Sequence, residues 1–126
     1  MELQNQATST PKQHIHSKMD ICIQNCLDCF RICEQTLAEC FKKGGKHVES
    51  SHLILLKSCA EICHTSAKFM MMQSQFHTKT CGVCAEVCQA CAEDCESMGD
   101  DEMMKKCAEM CRKCSQSCSE MSQWDH

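Results

Sequence analysis

Cysteine takes the place of the usual large apolar residues in the repeating pattern of this chain. Between Cys81 and Cys95 the sequence CGVCAEVCQACAEDC spaces its cysteines by three, four, three and four residues. Residues three or four apart lie on one face of an α-helix, so these thiols form a single stripe. The residues between them are small or charged, as expected for interval and solvent positions. The pattern predicts an amphipathic helix whose buried face is made of sulfur.

The same spacing recurs in two other segments, CIQNCLDCFRIC at residues 22–33 and CAEMCRKCSQSC at residues 107–118. A further segment carries a weaker copy, whose stripe is His52, Leu56, Cys59, Cys63, Ser66 and Met70. Four amphipathic segments with short connections predict an all-α fold, an antiparallel four-helix bundle with a cysteine-lined core. Phe30, Leu37 and Phe41 flank the first stripe and are expected to seal helix against helix.

Capping and turn residues divide the chain into a polar tail at residues 1–10 and a bundle at residues 11–122. Thr10 and Pro11 are typical of a helix start, Gly44-Gly45 of a helix end, and Asp100 or Asp101 of the last N-cap. The predicted helices span about 11–43, 47–76, 79–98 and 101–122. We expect the tail to be disordered.

Composition narrows the function. The net charge is −4, which provides no basic surface for nucleic acid, and the longest apolar clusters are too short to span a membrane. The N-terminal residues lack the apolar run of a secretory signal, so we expect a cytoplasmic protein. In a reducing compartment, 16 cysteines among 126 residues indicate metal binding more than disulfides.

Soft thiolates favour soft metal ions, above all Cu(I), with zinc as the common competitor. Thiols at i and i+3 or i+4 offer two sulfurs from one helix and a third from a neighbour, which suits two- or three-coordinate Cu(I). Stacked zinc tetrathiolates would also accumulate negative charge in a dry core. We therefore predict a binding protein rather than an enzyme, with multiple Cu(I) ions per chain, on the order of the number of cysteines.

Two alternatives remain open from the residues alone. One is a thiolate sink for zinc or cadmium. The other is a thiol-redox or disulfide-stabilised helical protein, although same-face thiols on one helix are too far apart to pair without strain.

The repeated CxxxCxxCxxxC helices, the cysteine-poor second helix and the length resemble the cytosolic copper storage proteins, over about residues 11–122. The resemblance implies many Cu(I) ions along a preformed bundle core, for copper homeostasis and detoxification, and assembly as a homotetramer. A copper chaperone is a further candidate partner. The resemblance also implies that the core cysteines are metal ligands: Cys22, Cys26, Cys29, Cys33, Cys40, Cys59, Cys63, Cys81, Cys84, Cys88, Cys91, Cys95, Cys107, Cys111, Cys114 and Cys118.

The two ends of the predicted bundle differ in their side chains. One end gathers the apolar residues Ile15, Met19, Phe69, Met70, Phe76, Met121 and Trp124. The other gathers Cys40, His47, His52, Met98, Met103 and Met104. We predict that copper enters at this second end, with His52 and Met103 as ligands because both lie on inward stripes. Roles for His47, Met98, Met104 and the Met70–Met72 run stay open, and the other histidines, His14, His16, His64, His77 and His126, are expected on the surface.

Overall fold

The computed structural model describes residues 11–124, with side chains from residue 17 onward. Its α-helices are α1 (Pro11–Lys43), α2 (Ser50–Met71), α3 (His77–Glu96) and α4 (Glu102–Ser122), and a short 3-10 helix spans Gly45–Val48. No strand occurs within residues 11–124. The predicted tail at residues 1–10, including the Thr10 cap, lies outside the described residues.

The connections explain why two helices differ from the predicted ranges. Gly44 and Gly45 both have positive φ angles, 67° and 59°, which end α1 and lead into the 3-10 helix. Helix α2 therefore begins at Ser50 instead of residue 47. It ends at Met71 instead of residue 76, just before Gln73 adopts a φ of 55°. Helix α3 begins two residues earlier than predicted, at His77.

Asp101 forms the N-cap of α4, as one of the two predicted candidates. Its carboxylate accepts hydrogen bonds from the backbone N–H groups of Met103, at 3.0 Å, and Met104, at 3.2 Å. The same carboxylate lies 2.7 Å from Lys43 Nζ at the end of α1. The cap therefore also ties the start of α4 to the end of α1.

Each helix packs against two neighbours in an antiparallel square. Helix α1 contacts α2 and α4, and α3 contacts the same two helices. The predicted antiparallel four-helix bundle is therefore confirmed. Among the described residues, none of the helices is both long and apolar enough to cross a bilayer.

The core is built from the side chains that the stripes predicted. All sixteen cysteines are fully buried, together with Leu56, Met70 and Met104. Phe41, in contrast, is 66% exposed, so the expectation that it seals the helices is wrong. It lies with Ile54 in a surface groove between α1 and α2 whose floor includes Leu37 and Leu53. The cysteine-lined core is therefore confirmed, and one apolar face stays outside it.

Candidate metal centre

The thiols form cross-helix pairs along the whole bundle. All sixteen are free, and sulfur atoms from different helices approach to 3.4–3.9 Å. Cys26 and Cys118 join α1 to α4 at 3.4 Å, and Cys63 and Cys88 join α2 to α3 at 3.5 Å. Because the helices are antiparallel and the stripes repeat at steps of three and four, each turn brings a new set of sulfurs to the axis.

Among the described residues, five sets of cysteines have all their sulfur atoms within 4.8 Å of one another. From the α1–α2 turn toward the opposite end, they are Cys33/Cys91/Cys107/Cys111, Cys29/Cys33/Cys59/Cys111, Cys29/Cys63/Cys88/Cys114, Cys26/Cys84/Cys114/Cys118 and Cys22/Cys81/Cys118. We call these sets the sulfur clusters. Every cysteine except Cys40 and Cys95 belongs to at least one of them.

Neighbouring clusters share ligands. Cys33 and Cys111 belong to the first two clusters, and Cys29 belongs to the second and third. Cys114 then joins the third to the fourth, and Cys118 joins the fourth to the fifth. The clusters therefore form one continuous chain of sulfur along the bundle axis, rather than separate sites.

The sulfur spacing suits thiolate-bound metal. A metal–sulfur distance of about 2.3 Å places two sulfurs of a trigonal or tetrahedral site about 3.8–4.0 Å apart. The distances Cys29–Cys111 (3.7 Å), Cys63–Cys84 (3.7 Å) and Cys33–Cys107 (3.9 Å) lie at or just below this range. A soft ion can therefore enter between these sulfurs with little movement of the helices.

Burial and contacts with neighbouring thiols raise the pKa of many of the cysteines, which favours the protonated form. Desolvation raises the pKa of Cys40 from the ordinary 9.0 to about 11. Deeper in the core, the contact with Cys107 raises the pKa of Cys33, and the contact with Cys114 raises that of Cys63. Metal binding to such thiols must displace protons, because thiolate is the ligand form.

The end formed by the α1–α2 and α3–α4 connections, which we call the mouth, carries nitrogen and oxygen donors beside sulfur. His52 is buried, and its Nε2 lies 3.4 Å from Cys40 Sγ. On the other side of the ring, Nδ1 contacts a carboxylate oxygen of Asp94 on α3. A second pair lies nearby, with His47 Nε2 3.0 Å from Asp101 Oδ2. The structure thus brings the predicted residues Cys40 and His52 together.

Asp94 is the residue of this group that the sequence reasoning missed, because it was assigned to a solvent position. The available signal was its spacing. Asp94 follows Cys91 by three residues, which places it at the edge of the α3 stripe. His52 begins the α2 stripe, and the two residues meet where the helices pack.

Met103 does not occupy the inward position predicted for it. Met103 is only partly buried, whereas Met104 is fully buried. The reason is the drift of the stripe: Cys118, Cys114, Cys111 and Cys107 alternate steps of four and three, and the next step is three, to Met104. Met98 is also buried, and its carbonyl accepts a hydrogen bond from Lys46 Nζ at 3.0 Å.

The opposite end is closed by thioethers. Met19, Met70 and Met121 are buried next to the last sulfur cluster, whereas Phe76 is exposed. His77 is only 1% exposed, so its expected surface position is wrong. His64 is partly buried and stacks on Phe30 at 4.6 Å between ring centroids. The side chains of Ile15, His14, His16 and His126 lie outside the described residues.

A protein-family model described as "Copper storage protein" matches residues 15–123. The chain belongs to the copper storage protein family. This match covers nearly all of the bundle, from residue 15 in α1 to the end of α4, and it confirms both the family resemblance and the copper storage function that the resemblance implied.

Solved structures of this family's fold are close in both sequence and shape. The Nmul_A1745 protein from Nitrosospira multiformis is 44% identical, with a TM-score of 0.80 over 85% of this chain and 96% of that one. The Cu(I)-bound copper storage protein BsCsp3 is 30% identical, with a TM-score of 0.78 over 83% and 98%. A cytosolic copper storage protein from Streptomyces lividans, with five coppers, is 26% identical, with a TM-score of 0.79 over 89% and 98%.

A curated relative also matches, the uncharacterized cysteine-rich protein YhjQ of Bacillus subtilis. It is 31% identical over 68 residues, which are 54% of this chain. The match spans 63% of that relative's length.

Proposed function

We propose that this protein stores and buffers multiple Cu(I) ions along its core, with thiolates of the sulfur clusters as ligands. The observation that carries the proposal is the sharing of cysteines between successive clusters. A shared thiolate can bridge two monovalent ions, so the chain of clusters provides a continuous ladder of sites. The Cu(I)-bound and five-copper structures of the relatives described above support this reading.

Charge favours Cu(I) over divalent ions in this arrangement. A zinc ion with four thiolates carries two net negative charges, and sharing Cys29, Cys33 and Cys111 between neighbouring sites would concentrate that charge in a dry core. Cu(I) with bridging thiolates approaches one ion per sulfur and stays close to neutral. We therefore expect a capacity on the order of one Cu(I) per cysteine.

All sixteen cysteines remain proposed ligands, because all are buried toward the common axis. His52 remains one as well, through its contact with Cys40. At the start of α4 we propose Met104 in place of Met103, since the Met104 thioether is the buried one. A thioether binds Cu(I) less tightly than a thiolate, so Met104 suits transfer rather than storage.

Copper entry at the mouth follows from the position of these weaker donors. Cys40 and His52 lie beyond the first sulfur cluster, toward the α1–α2 turn, and Met104 lies one turn before Cys107 on α4. An ion held there by sulfur and nitrogen would move inward toward sites with more thiolates. At the opposite end the buried side chains include the thioethers of Met19, Met70 and Met121, which are apolar.

The proposal also includes where the protein acts, how it assembles and what delivers copper to it. We propose a binding protein without turnover, acting in the cytoplasm, where free thiols persist and where the Streptomyces relative is described. A homotetramer is supported by the exposed apolar face at Phe41 and Ile54, which association would cover. A copper chaperone would deliver ions at the mouth.

A Cu(I) titration of the reduced apo protein, with metal counted per chain, tests the proposal. We expect binding to continue well beyond five ions, while circular dichroism shows a helical apo protein that changes little on loading. Saturation at one or two ions would contradict the shared-ligand ladder.

Four-sulfur clusters also fit tetrahedral zinc, so the zinc or cadmium sink needs its own test. A competition titration of the zinc-loaded protein with Cu(I) separates the two functions. We expect Cu(I) to displace zinc completely, and retention of zinc would favour the sink.

A further inference from the structure

His52 is held from both sides at the mouth of the bundle. Its Nε2 lies 3.4 Å from Cys40 Sγ on α1, and its Nδ1 contacts Asp94 Oδ2 on α3. The His52 side chain is 3% exposed and that of Asp94 is 24% exposed, so the carboxylate lies between the buried ring and solvent. Three helices thus contribute one residue each to a single row of contacting groups.

We propose that Asp94 is a positioning residue, which fixes the tautomer and orientation of His52 so that Nε2 and the Cys40 sulfur form the first binding site for entering Cu(I). This inference rests on the proposed copper storage function and names how the entry site is built. Nothing in the family match assigns a role to this carboxylate.

The tautomer follows from the chemistry of the two contacts. An ionised carboxylate can only accept a hydrogen bond, so the Nδ1 atom of His52 must carry the proton and donate it to Asp94. In a neutral imidazole, the other nitrogen then has a free lone pair. That lone pair is at Nε2, the atom that faces Cys40, which is the arrangement a metal ion requires.

Metal-binding histidines commonly donate their second ring N–H to a carboxylate, and loss of that partner typically weakens metal binding or activity 10–100-fold. Here the His52 ring is buried inside the bundle and contacts Asp94. The entering ion therefore meets a ring that is already oriented and needs no rearrangement of α2.

The site differs in kind from the sulfur clusters. Cys40 belongs to none of the five clusters. Its sulfur instead lies 3.4 Å from an imidazole nitrogen, Nε2 of His52. One ion can touch both atoms, since metal–nitrogen and metal–sulfur bonds of about 2.0 and 2.3 Å together exceed the distance between them. With two protein donors, the ion keeps a free coordination position, through which a carrier ligand can be exchanged.

A purely structural role for Asp94, holding α2 against α3, would give the same contact but different behaviour in solution. The test therefore compares Asp94→Leu, which removes the acceptor, with Asp94→Asn, whose amide oxygen still accepts a hydrogen bond from Nδ1. Glu93→Leu serves as the matched control, because it removes the neighbouring carboxylate of α3, which is exposed and accepts a hydrogen bond from Gln89.

Two measurements are made on each full-length protein. Nitrogen-15 NMR of the apo protein reports which ring nitrogen of His52 carries the proton. Stopped-flow absorbance then follows transfer of the first equivalent of Cu(I), supplied as a coloured bis-chelator complex, and a full titration gives the final capacity.

We expect the wild type, Asp94→Asn and Glu93→Leu to show His52 protonated at Nδ1 and to load at similar rates. Asp94→Leu should lose this tautomer preference and load about 10-fold more slowly or worse, with nearly unchanged final capacity. A wild-type His52 protonated at Nε2, or an Asp94→Leu variant that loads at the wild-type rate, would overturn the proposal. If Asp94→Leu fails to fold, the wild-type tautomer still decides the proposal: protonation at Nδ1 supports it and protonation at Nε2 overturns it.

The copper storage function and the entry site can be rejected separately. A low final capacity in the wild type would reject copper storage itself. A high capacity with a loading rate insensitive to Asp94 would reject only the entry site.

Discussion

The sulfur atoms of Cys29 and Cys111 lie 3.7 Å apart, although 82 residues separate the two cysteines along the chain. Both belong to two sulfur clusters at once, and they meet in the cluster that also contains Cys33 and Cys59. The contact joins α1 to α4 near the middle of the bundle. It shows how the antiparallel packing turns separate helical stripes into shared ligand sets.

Replacing a shared cysteine should remove more copper than replacing an unshared one. Cys111 belongs to two clusters and Cys107, one turn earlier on the same helix, belongs to one. We expect Cys111→Ser to lower the bound Cu(I) by about two ions and Cys107→Ser by about one, because a bridging thiolate serves two sites. Metal analysis after saturation measures the difference, with circular dichroism as the control for folding. Equal losses from the two variants would contradict bridging by Cys111.

The apo bundle should lose stability in alkaline solution. Burial raises the pKa of Cys40 from 9.0 to about 11, so the folded state favours the neutral thiol. The resulting stabilisation is fully present below pH 9 and is lost as the pH rises through 11. We expect the midpoint of thermal unfolding, followed by circular dichroism under reducing conditions, to fall by several degrees across this window. Cys40→Ser should show a shallower decline, and a wild-type midpoint that stays constant to pH 11 would refute the prediction.

Asp101 should stabilise the mouth in a pH-dependent way. The hydrogen bond from Lys43 holds the pKa of this carboxylate below its usual 3.8, and the side chain also caps α4. Its contribution is present above pH 3.8 and is lost as the pH falls through the lowered pKa. We expect Asp101→Ala to reduce the free energy of unfolding in urea at pH 7 by about 1 kcal/mol. Asp101→Asn keeps an acceptor for the cap, so it should lose less, and its stability should change less between pH 5 and 2.5.

Replacing Thr36 should make the protein more stable, because the Thr36 hydroxyl is buried without a hydrogen-bond partner among the described residues. We expect Thr36→Val, which keeps the shape and removes the hydroxyl, to raise the free energy of unfolding of the apo protein by about 1 kcal/mol. Ser66 is the matched control, since its equally buried hydroxyl donates to the carbonyl of Thr80 at 3.0 Å. Urea unfolding of Ser66→Ala should show destabilisation. A destabilised Thr36→Val would mean that the hydroxyl has a partner in solution.

The steps of three and four between cysteines predict the bundle, its sulfur-lined core and the binding of several Cu(I) ions, whereas copper storage was implied by the resemblance to the copper storage proteins. This works because helical periodicity fixes which side chains share a face, and because thiols in such number have few other uses. The stripes predict that Cys22 and Cys118 lie in the core, and in the structure their sulfur atoms lie 3.6 Å apart.

The mouth was harder to predict, for reasons specific to its residues. Met103 and Met104 lie four and three residues before Cys107, so either could continue the α4 stripe. Only the alternation of steps of four and three selects Met104. Asp94 carries a charge, so its sequence position indicates solvent, and its contact with His52 depends on how α2 and α3 pack. His77 is likewise predicted at the surface, whereas the structure buries it.

In most small helical proteins, different side chains form the core and bind the ligand, so either set can be altered alone. Here the sixteen buried cysteine side chains pack the core and are also the proposed metal ligands. Any engineered change in capacity therefore changes the packing of the scaffold, and any repacking changes what it can carry. A redesigned version with fewer thiols needs apolar side chains of matching volume in their place. Without them, the protein would lose folding stability together with copper capacity.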